Sequence, residues 1–207
     1  GVFSDFIKLG NYQLKSSGYD DIFVCKIDSS GIINWAVKAG GSDFDEGLGI
    51  ALNERRELFV TGFYRQTATF GNQTVGQLGL FKEIFVIKTD PETGKLTDLL
   101  VAGGGGDFDL GNKIAFDNDN FPHIAGLLDH SWPGMNFGEI YIPAEDGSTE
   151  DAFIAKIKVP DIISKLKGQV FKDSLPTQCV VKLFSYSSDN PMRLSYNNYT
   201  NESGLFE

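Results

Sequence analysis

Three stretches of this chain are versions of one pattern: DDIFVCKID (residues 20–28), KEIFVIKTD (82–90) and EDAFIAKIK (150–158). Their central aromatics, Phe23, Phe85 and Phe153, lie 62 and then 68 residues apart. A period of that length exceeds a helical hairpin and suits a four-stranded propeller blade with one long loop. Other landmarks recur in the same order around these anchors. AGGSDFDEGLGIA (39–51) matches AGGGGDFDLGNKIA (102–115), and LFVTGF (58–63) matches PHIAGL (122–127). Leu9-Gly10-Asn11, Phe70-Gly71-Asn72 and Phe137-Gly138-Glu139 form a further triplet. A repeat constrains the fold before any propensity argument begins.

Composition agrees. The 17 Phe and 24 Gly suit short strands joined by tight turns rather than helices. A formal net charge of −10 argues against a grip on nucleic-acid phosphates, which needs clustered Lys and Arg. The two cysteines, Cys25 and Cys179, read as small apolar side chains; no framework spacing supports a disulfide between them. No apolar run approaches a membrane-spanning length, and the first ten residues lack the basic start and apolar core of a signal peptide.

Short runs rich in Val, Ile and Phe, bounded by Gly, Asp and Asn, read as strands. Within each repeat they fall in the order a, b, c, d, from the axis outward. Strand a is 47–52 and then 112–116; strand b is 58–64 and then 123–128. Strand c is the family of Ile22, Ile84 and Phe153; strand d is 33–39 and then 96–102. Both faces of these strands are apolar, as expected of sheets covered on both sides. The a-to-b and c-to-d turns are minimal, whereas the b-to-c connections, about 65–82 and 129–150, are long enough to carry function.

The fold class expected is therefore all-β: a partial β-propeller of four-stranded antiparallel blades over residues 1–160, then the start of a β-sandwich. Residues 1–160 hold about two and a half repeats where propellers need about four to eight blades, so a larger propeller is expected. Residues 161–166 read as a linker and 167–207 as a truncated sandwich, too short to be stable alone. The chain leaves the repeat at Pro160, so the outer strand of the last repeat is expected from the N-terminal end of the propeller.

Chemical motifs are few. Asp43, Asp45, Asp107 and Asp109 are candidate metal ligands or acid–base pairs, but residues copied into every repeat more often cap turns. Asp117-Asn118-Asp119-Asn120 lacks the Gly and bidentate Glu of an EF-hand loop and reads as a turn. Gly103 to Gly106 precede no Gly-Lys-Ser/Thr, which argues against a phosphate cradle. His123 reads as packed in strand b, His130 opens a long loop, and neither has partners at zinc spacing.

The run from Asp21 through Phe23, Val24, Lys26, Asp28, Gly31, Trp35, Gly40, Gly41, Asp45, Glu46, Gly47, Ile50 and Ala51 to Val60, Thr61 and Gly62 resembles the bacterial β-propeller repeat family often labelled SBBP. The second copy departs from it, with Asp98 in place of Trp35 and with Leu110 and Gly111 in place of Glu46 and Gly47. The tail, with KGQVF, VVKLF and NESGLFE, resembles the start of a carboxypeptidase-regulatory-like, or transthyretin-like, β-sandwich. The pair in this order is similar to envelope proteins of Bacteroidota-type bacteria. Some of those carry an OmpA-like peptidoglycan-binding domain and work with the type IX secretion or gliding apparatus.

What the resemblance implies is a non-enzymatic protein–protein interaction scaffold, periplasmic or associated with the outer membrane, with peptidoglycan reached only through a further domain. The alternative is a fragment of a secreted or cell-surface adhesin, or of a glycan-active enzyme whose active domain lies elsewhere. No catalytic residue, metal site or cofactor is expected. The partner expected is an envelope protein, an outer-membrane protein among the candidates, with no nucleic acid and no membrane-spanning segment. Candidate contacts are Trp132, Met135, Tyr141, Ile142 and Phe70 on the long b-to-c loops, because exposed aromatics and Met mark protein-binding surfaces.

Overall fold

The computed structural model describes residues 1–76, 78, 81–104, 108–129 and 151–157 with their side chains, and residues 134–137, 140–143, 167–172, 175–176 and 205–206 by strand pairing. The chain is all-β, with no helix among the described residues. The strands run β1 (Val2–Leu9), β2 (Tyr12–Ile27), β3 (Ile33–Gly41), β4 (Glu46–Leu52), β5 (Leu58–Arg65), β6 (Ala68–Phe70) and β7 (Gln73–Val75). They continue with β8 (Lys82–Thr89), β9 (Leu96–Ala102), β10 (Leu110–Phe116), β11 (Pro122–Leu128), β12 (Gly134–Phe137), β13 (Ile140–Pro143) and β14 (Asp151–Lys156). The last are β15 (Lys167–Lys172), β16 (Leu175–Pro176) and β17 (Leu205–Phe206).

Their pairing is antiparallel and makes open sheets, none closed on itself. The second sheet, β4-β5-β8-β9, has the four strands and the order read from the sequence. The third follows the same order, β10-β11-β14-β15. Its outer strand corrects one expectation. Lys167–Lys172 pairs with β14, Phe153 opposite Val170 and Ala155 opposite Gly168, so the strand comes from beyond Pro160 and not from the N-terminal end. The edge of β14 needs a partner for its backbone donors and acceptors, and Lys167–Lys172 provides one. The expected linker at 161–166 lies outside the described residues.

The first sheet, β1-β2-β3-β6-β7, shows what the long b-to-c connection does. Residues 68–75 leave the second sheet, form a hairpin and pair with β3 of the first, Ala39 opposite Phe70. The recurrent triplets sit at such hairpin tips. Leu9 faces Tyr12 and Phe70 faces Gln73, each across a two-residue turn, and Phe137 pairs with Ile140. Gly10 and Gly71 have φ of 58° and 62°, which a side chain would resist at the first central position of such a turn.

Two cores lie between the sheets. Ile22, Val24 and Trp35 of the first sheet meet Val60, Tyr64, Phe85 and Ile87 of the second. Phe59, Ile84 and Val86 of the second meet Ile124, Leu128, Phe153 and Ala155 of the third. Successive side chains of a strand point to opposite faces. In strand c, Phe85 and Ile87 therefore face the preceding sheet, and Ile84 and Val86 the following one. Each large apolar side chain buried here contributes about 1.5–3 kcal/mol.

Candidate functional site

The Asp-Phe-Asp motif divides into a buried clamp and an exposed ring. Asp45 is fully buried; its Oδ2 accepts the Gly41 N–H at 2.6 Å and its Oδ1 the Arg65 N–H at 3.0 Å. Asp109 repeats the arrangement, accepting the Asp129 N–H at 2.9 Å and the Gly104 N–H at 3.3 Å. Each carboxyl thus ties the d-to-a turn to the end of strand b. The turn-capping reading describes these two; Asp107 lies outside the described residues.

A second buried acid stands beside each clamp: Asp21 next to Asp45, Glu83 next to Asp109. Gly40 and Gly103, at φ of 139° and 142°, leave room for them. A Cβ on Gly40 would lie 2.8 Å from Asp21 Oδ1 and 2.9 Å from Asp45 Oδ2, and one on Gly103 would overlap Glu83 Oε2. Asp21 Oδ2 accepts from the Ser17 N–H at 2.9 Å and from Lys38 Nζ at 3.1 Å, while its buried Oδ1 has no hydrogen-bond partner. Burial pushes the Asp45 carboxyl up to about 7, against the pull of its two backbone donors and with the help of the Asp21 and Asp43 charges. Burial also raises Asp109 to about 7. Among the described residues no cluster of three or more His, Cys, Asp or Glu is arranged to hold a metal.

The Phe between the aspartates points outward. Phe44 and Phe108 are exposed, and their backbones are held by equivalent single bridges to Asp20 and Lys82. The Phe44 ring stacks on Tyr19 at 4.9 Å and 5°, with the Arg65 guanidinium 5.8 Å from its centroid. Arg65 also lies 5.6 Å from the exposed Phe81 ring and forms an ion pair with Asp43 at 3.2 Å. Lys82, directly opposite Arg65 across the β5–β8 ladder, sits 4.0 Å from Phe63 and 5.3 Å from Phe108. Like charges facing each other across a ladder are destabilising; the rings and Asp43 offset this, each exposed cation–π contact by about 0.5–1 kcal/mol. The outcome is a continuous row, Tyr19, Phe44, Arg65, Phe81, Lys82 and Phe108, spanning two repeats. It is built by the d-to-a turns and the ends of the b-to-c connections.

The sequence placed the contact surface on the b-to-c loops themselves, and there the structure differs. Phe70 is 0% exposed, wedged between Tyr64 at 6.0 Å and Phe85 at 4.9 Å, and so has no surface to offer a partner. The reason is the hairpin, which folds down on β3 and is pinned by the Tyr64 hydroxyl donating to Gly76 O at 3.1 Å. Burial, and then the Glu83 charge, raise the Tyr64 pKa. Met135 stands opposite Ile142, and Tyr141 opposite Asn136, in the equivalent β12–β13 hairpin, which lies beside β9. Trp132 lies outside the described residues, as does His130. The exposed row was missed because the central Phe of Asp-Phe-Asp falls in a turn, where no alternation separates inside from outside.

The opposite face carries ordinary turn chemistry. Asp117 accepts the Asp119 and Phe121 N–H groups at 3.0 and 2.9 Å and closes a turn, as expected. His123 is half-buried, and its Nε2 lies 3.1 Å from Asp117 Oδ2, which also takes Lys156. Burial opposes ionisation of Asp117, but Lys156, the Phe121 N–H and His123 outweigh it and hold the carboxyl well below its ordinary value. Cys25 is a half-buried free thiol. No helix among the described residues is long and apolar enough to cross a membrane. No family model and no curated protein matches the chain.

Proposed function

We propose that the chain is a segment of a β-propeller and acts as a non-enzymatic protein–protein interaction scaffold, with the Tyr19–Phe108 row as its contact surface. The observation that carries the reading is that row. Exposed aromatic rings interleaved with Arg have the composition of interface hot spots, and backbone bridges at Phe44 and Phe108 tie the turns that carry them. The propeller arrangement is supported by the repeated packing: equivalent strand-c residues face the preceding and following sheets in the same way in both cores. Resemblance to SBBP-type repeats and to Bacteroidota-type envelope proteins adds a location, periplasmic or at the outer membrane, and a link to type IX secretion, gliding and OmpA-like anchoring.

One observation favours a second reading, a glycan-binding adhesin surface: the Tyr19 and Phe44 rings are nearly parallel, and Tyr19 is exposed enough to offer a flat apolar platform. Binding of the native partner by a Phe44→Ala/Phe108→Ala variant separates the cases. The scaffold reading expects at least about a tenfold weaker interaction with an envelope protein, the size of a hot-spot loss. Unchanged affinity overturns it, and loss of binding to an isolated glycan instead supports the adhesin.

A further inference from the structure

The rings of the exposed row recur, but its charges do not. Tyr19 and Phe81 stand four residues before Phe23 and Phe85, and Phe44 and Phe108 are the centres of the two Asp-Phe-Asp motifs. The same backbone bridge ties each set, Asp20 to Phe44 and Lys82 to Phe108. The bridging residue is thus an acid in the first set and a base in the second. The residue whose N–H meets the buried aspartate also changes sign: Arg65 for Asp45, Asp129 for Asp109. Packing of the repeat retains the rings and requires neither cation.

The two cations are held differently. Arg65 is neutralised by Asp43 at 3.2 Å, a carboxylate that also accepts from Gln66 Nε2 at 2.7 Å. Lys82 is half-buried, 4.0 Å from the centroid of the buried Phe63 ring and 5.3 Å from that of Phe108, and forms no ion pair with a described residue. Of the row's two cations, Lys82 is the one left to be met from outside. The chain carries a formal net charge of −10, so an acidic ligand is repelled by the whole and attracted at this position. The row is also linear. Arg65 lies 5.8 Å from the Phe44 ring and 5.6 Å from the Phe81 ring, and Lys82 follows Phe81 in the chain. About three or four residues of extended peptide, at about 3.1–3.4 Å each, span that interval.

We propose that the row takes an extended acidic segment of a partner polypeptide: an Asp or Glu meets Lys82 beside the Phe108 ring, and an aromatic or large apolar residue three or four positions away lies on the Tyr19–Phe44 stack. The recurring rings supply contact area, and the cation that does not recur supplies selectivity. A basic segment would set its charge against both Lys82 and Arg65, and a neutral one leaves Lys82 unmet. The inference rests on the reading of the row as the contact surface.

The probe is a displayed library of random heptapeptides selected on the whole chain. Asp or Glu three or four positions from Trp, Tyr, Phe or Leu should be enriched. The tightest such peptide should bind Lys82→Met at least about threefold more weakly and Lys82→Glu about tenfold more weakly. Lys82→Met keeps an apolar stem against Phe63 and removes the charge alone, so its loss is not a loss of packing. Selection on Lys82→Glu should replace the enriched acid by Lys or Arg. No retained peptide, no enriched acid, or equal binding by Lys82→Glu overturns the inference. Acid-free peptides that are lost in Phe44→Ala/Phe108→Ala overturn it while leaving the contact surface standing. Selected peptides that bind Phe44→Ala/Phe108→Ala as tightly as the unaltered chain overturn the reading of the row itself, and the inference with it.

Discussion

Raising the pH from 5 to 7 should destabilise this protein. Asp45 and Asp109 are buried carboxyls with pKa values near 7 in the folded state, against an ordinary value of 3.8. A carboxyl whose folded pKa is raised gives its full contribution below the unfolded pKa and loses it as pH rises toward the folded value. The penalty therefore grows between about pH 4 and 7 and is flat above that. Three units at about 1.4 kcal/mol each give a ceiling of about 4 kcal/mol per carboxyl. The charged groups facing Asp45 are Asp21, Asp43 bound to Arg65, and Lys38 bound to Asp21. None of these reaches Asp45 with a compensating positive charge. Urea unfolding followed by fluorescence of buried Trp35 between pH 4.5 and 8 measures the slope directly. Asp45→Asn should reduce that slope by about one proton, or about 1.4 kcal/mol per pH unit at its steepest. Stability that is flat or rising from pH 5 to 7, or an unchanged slope in Asp45→Asn, refutes the reasoning.

Other perturbations probe neighbouring parts of the account. Gly103→Ala places a Cβ on Glu83 Oε2 at a φ of 142°, and should cost about 2 kcal/mol or more in chemical denaturation, well beyond the usual surface substitution. Phe85→Ala empties the centre of the core between the first two sheets, next to Phe70, and should cost about 3–5 kcal/mol by the same measurement. Asp117→Asn should reduce acid sensitivity, because a depressed carboxyl loses its contribution as pH falls through the folded pKa; the check is the denaturation midpoint below pH 4.

Much of the fold was legible because the repeat marks it. The anchors around Phe23, Phe85 and Phe153 located strand c, and their spacing from Gly-rich turns located a, b and d in the second sheet. What escaped was pairing over distance. Nothing in Ala68-Thr69-Phe70 says that its partner is Gly41-Gly40-Ala39, in another sheet. Residues 12–19 also became half of a long β1–β2 hairpin although they are largely polar, because each strand satisfies the other's backbone and outward positions need no apolar side chain. The outer strand from Lys167–Lys172 was missed because Pro160 was read as the end of the sheet, whereas pairing resumes seven residues later. At the candidate site, Asp45 and Asp109 were legible as turn-holding residues from their recurrence. Asp21 and Glu83 were not recognised as their partners, since a carboxylate opening an apolar strand looks like a solvated boundary. Phe44 and Phe108 were seen as repeat residues, but their exposure depends on the turn geometry that Asp45 and Asp109 create.

The most direct test of the interaction surface is site-specific photo-crosslinking in the cell that produces the protein. A crosslinker is placed at Tyr19, Phe44 or Phe108, and for comparison at Glu54 or Asp119 on the opposite turns. The account predicts a discrete protein adduct from the first three positions and none from the other two. Equal adducts from both faces, or adducts only from Glu54 and Asp119, would contradict it.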